Sequence, residues 1–283
     1  MMGRLASVAL GLLTALGAIA GPTNTLSEAE IQGRQLAQQI LEQRPAENFT
    51  NTGVLIVSNG EGKRSEFPVK CVVVTTETGW ETSYTAEQCI QNSNEWNTCL
   101  TAIKVEHSGW LPDRYEKQVW SEQGVKSNNV AAISFTVDKN GTPVMHGATR
   151  SSATVAVTGE EIFTPFVGSD FWIADLGLEF FHWPEQKILK PYEMRRGRSC
   201  KVLESINPNP APNGYSRVVS WIDNETLGIV QAEAYDAKGK LLKEFYPKDF
   251  KKVNEQWGMG EMEMINDQTG SRTWIKFDLK RHD

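Results

Sequence analysis

Residues capable of acid–base, nucleophilic or metal chemistry are spread through this 283-residue chain, and no linear signature gathers them. A G-x-S-x-G elbow would present a serine on a strained turn, and H-E-x-x-H would set two zinc ligands one helical turn apart; neither is present. His146 follows Val144 and Met145 beside a hairpin and could approach Ser169 or Asp170, although an isolated surface histidine is the ordinary reading. Asp175 reads as a local hydrogen-bond acceptor or a solvated charge. The run Gly60-Glu61-Gly62-Lys63 imitates a phosphate loop, but Val57 stands where the first glycine belongs and Arg64 replaces the hydroxyl that would hold magnesium. No catalytic residue, metal ligand or cofactor is therefore assigned. A hydrolase with a site assembled only in three dimensions is the least favoured class.

Sulfur offers a different chemistry. Cys71, Cys89, Cys99 and Cys200 lack the paired C-x-x-C spacing of a zinc knuckle, and the only histidines are His107, His146, His182 and His282. Disulfides are the better expectation if the chain is exported. The beginning of the sequence supports export: Arg4, the apolar run Leu5 to Ala20 and the small-residue ending Ala18-Ile19-Ala20 have the three parts of a secretory signal peptide. The apolar run is shorter than the roughly 20 residues that a spanning helix needs, and Pro22 follows at once. The expectation is cleavage after Ala20 and a soluble periplasmic product, with residues 21–283 forming a single domain. The even cysteine count allows three pairings, of which Cys89 with Cys99 is preferred because it closes a short polar loop.

Charge narrows the partners. The formal net charge is −6, and loss of Arg4 moves it one unit further negative. A polyanion binder carries a clustered basic face, whereas Arg195, Arg196, Arg198 and Lys201 form one short patch that reads as a solvated strand end. Nucleic acid is not an expected partner.

The elements that would position these groups follow from pattern. Ser27-Glu28-Ala29-Glu30 is a capping box, and Ile31, Leu36, Ala37, Ile40 and Leu41 recur at helical spacing up to about Gln43, before Pro45. The Gln-rich opposite side favours burial on a sheet over a membrane surface. Gly53 to Ser58 and Val69 to Thr76 flank turn residues 59–63 and predict a hairpin. Residues 85–113 show no clear period and read as a long loop or a Cys-containing insertion. Strands follow at Val119 to Gln123, Ala131 to Val137, Val144 to Ala148 and Thr154 to Val157, with Asn140-Gly141 as the turn of the middle pair.

At Gly168 to Leu176, GSDFWIADL, a short helix capped by Ser169 or Asp170 is expected, its apolar residues Phe171, Ile173, Leu176, Leu178, Phe180 and Phe181 lying against strands. Beyond it come strand-like runs at Tyr192 to Ile206, Tyr215 to Ile222, Leu227 to Tyr235, Leu241 to Tyr246, Met259 to Ile265 and Arg272 to Leu279. Short turns between them require antiparallel neighbours. Thr273, Ile275 and Phe277 alternate with Trp274, Lys276 and Asp278, so one face is dry and the other wet.

The order GSDFWIADL, YSRVVSWID with NET, AEAYDAKGKLLKEF, MEMIN and QTGSRT before WIKFDL resembles the bacterial outer membrane lipoprotein-sorting protein family, related in fold to the lipoprotein carriers LolA and LolB. The resemblance covers Gly168 to Leu279 well and the first half only in outline. It implies an α+β fold, mainly antiparallel β: a strongly curved half-barrel sheet with an N-terminal helix and a central helix packed on or in its concave face. It further implies a cavity for acyl chains of lipoproteins or lipids, with envelope transport proteins as partners and only peripheral or transient membrane contact. Phe171, Trp172, Leu176, Trp221, Met262, Met264, Ile275 and Phe277 are the candidate lining, the methionines because thioethers fit irregular chains. A carrier-type arginine latching the helices would fall on Arg34, Arg150 or Arg217. The alternative is a non-enzymatic envelope binding module with a filled core, acting through protein–protein contacts.

Overall fold

A computed structural model describes residues 26–92, 95–109, 111–122, 135–137, 143–145, 150–253 and 256–278. The first element is helix α1 (Glu28–Leu41), opened by the expected capping box: the Ser27 side chain accepts from Glu30 N at 3.3 Å, and the Glu30 carboxylate accepts from Ser27 N at 2.7 Å. Its buried residues Gly33, Leu36, Ala37 and Ile40 make one stripe. At Gly33 the helix comes so close to a strand that a Cβ would lie 2.5 Å from the Lys187 amide nitrogen, which leaves room for glycine only.

Strands β1 (Phe49–Ser58), β2 (Arg64–Thr75), β3 (Trp80–Asn92), β4 (Glu95–Ser108) and β5 (Leu111–Glu122) follow as an antiparallel meander. Residues 85–113, expected as a loop or insertion, are thus mostly regular strand in the main sheet. β4 buries Leu100, Ala102, Ile103 and Val105, but polar residues such as the buried Thr85 and the ion-paired Lys104 and Glu106 stand among the apolar ones and hid the strand pattern. The expected Cys89–Cys99 bridge is also corrected. Cys99 is a free thiol, and the register pairs it with Gln88 while position 89 pairs with Thr98. Cys71 and Cys200 are free as well.

Strands β6 (Phe135–Val137) and β7 (Pro143–Met145) form a separate antiparallel pair, and β8 (Arg150–Val157) returns to β5. The turn at 140–141, His146 and residues 1–25, which include the expected signal peptide at 1–20, lie outside the described residues. The expected central helix is a single turn, α2 (Ile173–Leu176), between two 3₁₀ turns at Gly159–Phe163 and Glu179–His182. Neither Ser169 nor Asp170 caps it: the Asp175 carboxylate reaches back to the Trp172 amide at 2.7 Å, and Asp170 is engaged elsewhere.

The remaining strands are β9 (Glu185–Arg195), β10 (Arg198–Ile206), β11 (Tyr215–Asp223), β12 (Ile229–Asp236), β13 (Leu241–Val253), β14 (Gln256–Asn266) and β15 (Arg272–Phe277). The single run expected from Tyr192 to Ile206 is two strands. Arg196 and Gly197 both have positive φ, 49° and 79°, and close a two-residue hairpin that the arginine masked in the sequence. Around that turn the basic patch is engaged: Arg195 lies 4.1 Å over the Trp221 ring, and Arg198 pairs with Asp223 and Glu225.

Thirteen strands form one curved, unclosed antiparallel sheet in the order β8-β5-β4-β3-β2-β1-β15-β14-β13-β12-β11-β10-β9. The first half of the chain and the second half meet where β1 pairs with β15. The inner face carries α1, α2 and the 3₁₀ turns over two core clusters, one containing Leu55, Val105, Ile173 and Ile275, the other Leu36, Phe181, Leu203 and Ile222. Phe163 and Phe245 touch both.

Candidate functional site

Beneath α2 the inner face does not fill. A cavity of about 380 Å³ lies between the two wings of the sheet. Its wall takes Trp80 and Tyr84 from β3, Val218 from β11, Ala232 and Ala234 from β12, Phe245 from β13, and Met259, Met262 and Met264 from β14; Phe171, Leu176 and Leu178 cover it. Strand parity explains this lining. Phe245 pairs with Met264 on one side and Ala232 on the other, so the three share a face, and the small alanines leave space beside the large side chains.

The cover is held by hydrogen bonds. Asp170 accepts from Ser271 Oγ at 2.6 Å and from Thr273 Oγ1 at 2.8 Å, while Thr273 Oγ1 accepts from the Asp170 amide at 2.9 Å. These tie the segment before α2 to β15. On the other side Tyr115 donates to Glu179 at 2.9 Å, tying β5 to the 3₁₀ turn after α2.

One polar cluster reaches the cavity from α2. Asp175 accepts from the Trp172 amide and from the Tyr215 hydroxyl, at 2.9 Å to Oδ1 and 3.1 Å to Oδ2. Lys243, 1% exposed, places Nζ 3.6 Å from Asp175 Oδ2 and 3.4 Å from the centroid of the Trp172 ring, which itself stacks on Tyr215. The first distance makes an ion pair but exceeds a hydrogen bond, and Nζ has no hydrogen-bond acceptor. Burial lowers the Lys243 pKa to about 8 despite Asp175, and raises that of Asp175 despite Lys243, Trp172 and Tyr215. A second cluster stands at the β4–β5 side. Asp113 lies 2.8 Å from His107 Nδ1 and 3.4 Å from His182 Nε2, and Trp80 stacks on His107. Burial opposes the Asp113 charge, but the two imidazoles outweigh it and hold its pKa below the usual value. Among the described residues no group of three or more His, Cys, Asp or Glu side chains could hold a metal ion.

Of the residues expected to line a cavity, Phe171, Leu176, Met262 and Met264 do so. Ile275 and Phe277 lie in the packed core outside its wall, and Trp172 stacks on Tyr215 with Lys243 Nζ against both rings. Trp221 is a correction: it packs with Cys200, Val202 and Val219 in a cluster of its own and donates Nε1 to Glu193 at 2.8 Å. Its neighbours Ser220 and Ile222 have the other parity, and Ile222 is the one in the inner core. Arg34 is exposed on α1, and Arg217 pairs with Glu204 and covers the Tyr235 ring, so neither latches α2. The cation against α2 is Lys243. Sequence reading missed it because the adjacent Leu241 and Leu242 leave the parity of β13 open; a bulge between the Tyr235–Leu241 and Ala234–Lys243 pairs sets it.

A curved, open antiparallel sheet with helices on its inner face and an apolar cavity beneath them is the LolA-like architecture, and the chain has that fold. An outer membrane lipoprotein-sorting protein domain from Vibrio parahaemolyticus superposes with a TM-score of 0.61 at 20% identity, covering 88% of this chain and 91% of the other. A DUF1329 family protein from Desulfovibrio piger gives 0.57 at 18% identity over 91% and 94%, and a LolA superfamily protein from Nitrosomonas europaea gives 0.51 at 13% over 91% and 95%. A family model described as "Uncharacterized protein" matches residues 150–281. No curated protein matches the sequence. Among the described residues no helix is long and apolar enough to cross a membrane.

Proposed function

We propose that the protein binds acyl chains in the cell envelope and acts there as a carrier or holder of lipoproteins or other acyl-bearing molecules, after export and removal of residues 1–20. The observation that carries this reading is the unfilled space under α2. At about 380 Å³ it falls within the roughly 300–1,000 Å³ that small-molecule sites occupy, and it is walled mainly by apolar side chains, aromatic, aliphatic and thioether. A filled core would leave no such volume, because protein interiors pack to crystal-like density. Each methylene hidden from water contributes about 0.8 kcal/mol, so a long chain gains enough to be extracted from an aqueous or membrane surface. Methionines suit a chain of variable shape. The sorting-domain and LolA-superfamily neighbours support the same reading through their fold.

The test is direct binding. Full-length protein recovered from the periplasm of its host should carry lipid or acylated peptide visible by native mass spectrometry, and the stripped protein should take up a fluorescent fatty-acyl probe with about 1:1 stoichiometry. Protein that is empty and fails to take up the probe would return the fold to a structural or protein-binding role.

A further inference from the structure

The donors and acceptors in the cavity do not balance. Both oxygens of Asp175 are satisfied by neutral groups, the Trp172 amide and the Tyr215 hydroxyl. Lys243 carries three donors, and none has an acceptor; its Nζ has only the ring of Trp172 at 3.4 Å, that of Tyr215 at 5.3 Å and the distant Asp175 oxygen at 3.6 Å. A buried cation with unused donors is costly, and the deficit is met by any oxygen that enters the cavity, since Lys243 forms part of its wall.

The type of oxygen follows from the neighbours. A hydrocarbon offers no acceptor. A free carboxylate would set a second anion beside Asp175, which like-charge repulsion disfavours. An ester or amide carbonyl supplies a strong acceptor and adds no charge. We propose that Lys243 is the polar anchor of the cavity, and that its ligand is an ester- or amide-linked acyl chain whose carbonyl oxygen accepts from Nζ while the chain lies against Phe171, Phe245, Met262 and Met264. This deepens the acyl-chain reading above and rests on it.

The experiment is displacement of a bound fluorescent acyl probe from the full chain by three competitors of equal chain length: methyl palmitate, palmitate and hexadecane, each delivered from cyclodextrin. The ester is expected to outcompete the hydrocarbon about tenfold, the worth of one hydrogen bond to a charged donor. Lys243→Met is expected to bring the two to equal strength without weakening hexadecane. Because that change leaves Asp175 without its cation, Lys243→Met with Asp175→Asn is measured beside it, and far-UV circular dichroism and melting accompany both. Equal competition by ester and hydrocarbon in the wild type, or an ester advantage that survives in both variants, would overturn the anchor while leaving the acyl site standing. Palmitate outcompeting the ester would overturn the preference for a neutral carbonyl. Failure of all three competitors to displace the probe would sink the acyl reading itself and the anchor with it.

Discussion

Lys243 on β13 and Asp175 on α2 face one another at 3.6 Å inside the protein, and burial pushes each toward its neutral form. The pair joins the short helix to the sheet at the place where the cavity begins. Its partners are unequal, since Asp175 has hydrogen bonds from Trp172 and Tyr215 and Lys243 has none.

Removing the anion alone should therefore be the harmful change. Asp175→Asn is expected to cost about 3–5 kcal/mol, because it strands a buried ammonium. The double change Lys243→Met with Asp175→Asn should recover most of that loss. Chemical denaturation of the two proteins and the wild type checks this, and a double variant less stable than Asp175→Asn would refute it.

The same pair gives a pH dependence whose sign is fixed. Lys243 has a folded pKa of about 8, below its ordinary 10.5, so between these values the unfolded chain binds more protons and stability rises with pH. That contribution is fully present above 10.5 and is lost as pH falls through about 8. Asp175 has the opposite sense: its folded pKa is raised above 3.8, so its contribution is present below 3.8 and is lost as pH rises through the folded value. Urea midpoints across pH 7 to 10 for the wild type and the Lys243→Met protein isolate the first effect. The difference between the two proteins should change across that window, and a constant difference would contradict it.

The cover depends on Thr273. This side chain, fully buried, both donates to the Asp170 carboxylate and accepts its amide. Thr273→Val keeps the shape and removes both bonds, leaving a buried carboxylate oxygen and amide short of partners. A loss of about 1–3 kcal/mol is expected, with faster amide hydrogen exchange at residues 168–176 than elsewhere. Uniform exchange would show that the cover is held by other contacts.

Met264 tests the wall. Only 4% exposed and paired with Phe245 across β13 and β14, it cannot present a charge to the cavity without a cost of several kcal/mol or a shifted pKa. Met264→Glu should reduce probe uptake at neutral pH at least tenfold, and acidification should restore part of it as the carboxyl protonates. Circular dichroism establishes that the protein is folded at each pH, and uptake unchanged from wild type would place the ligand elsewhere.

The thiols provide a check on the strands. Burial pushes the Cys71 thiol up to about 12, so it should resist a disulfide reagent until the protein unfolds. Peptide mapping without reduction should return Cys99 as a free thiol. A bridge from Cys89 to Cys99 in that map would contradict the free thiol at Cys99.

The periodic parts of the fold were open to sequence reading because their physics is local. The Ser27–Glu30 capping box, the stripe through Leu36 and Ile40, the hairpin at residues 59–63 and the alternation of Thr273, Ile275 and Phe277 each depend on neighbours a few residues away. The motifs from Gly168 onward carried enough of the same information to point to the sheet's general form. Sequence patterns also placed Phe171, Leu176, Met262 and Met264 on dry faces. The strands in residues 85–113 were hidden because polar residues such as the buried Thr85 and the ion-paired Lys104 and Glu106 stand among the buried Leu100, Ala102, Ile103 and Val105.

What only the tertiary structure decided concerns pairs far apart in the chain. Whether a dry face becomes solid core or cavity wall depends on what stands opposite: Ile275 is packed outside the cavity wall, whereas Met264, on the neighbouring strand, borders open space. Trp221 and Ile222 differ by one position and lie in separate clusters because a strand turns successive side chains to opposite sides. Lys243 reaches Asp175 only because a bulge sets the parity of β13 and β15 holds the Asp170 segment that positions α2. No local spacing encodes such a meeting, since its geometry is the sum of every strand register between the two residues.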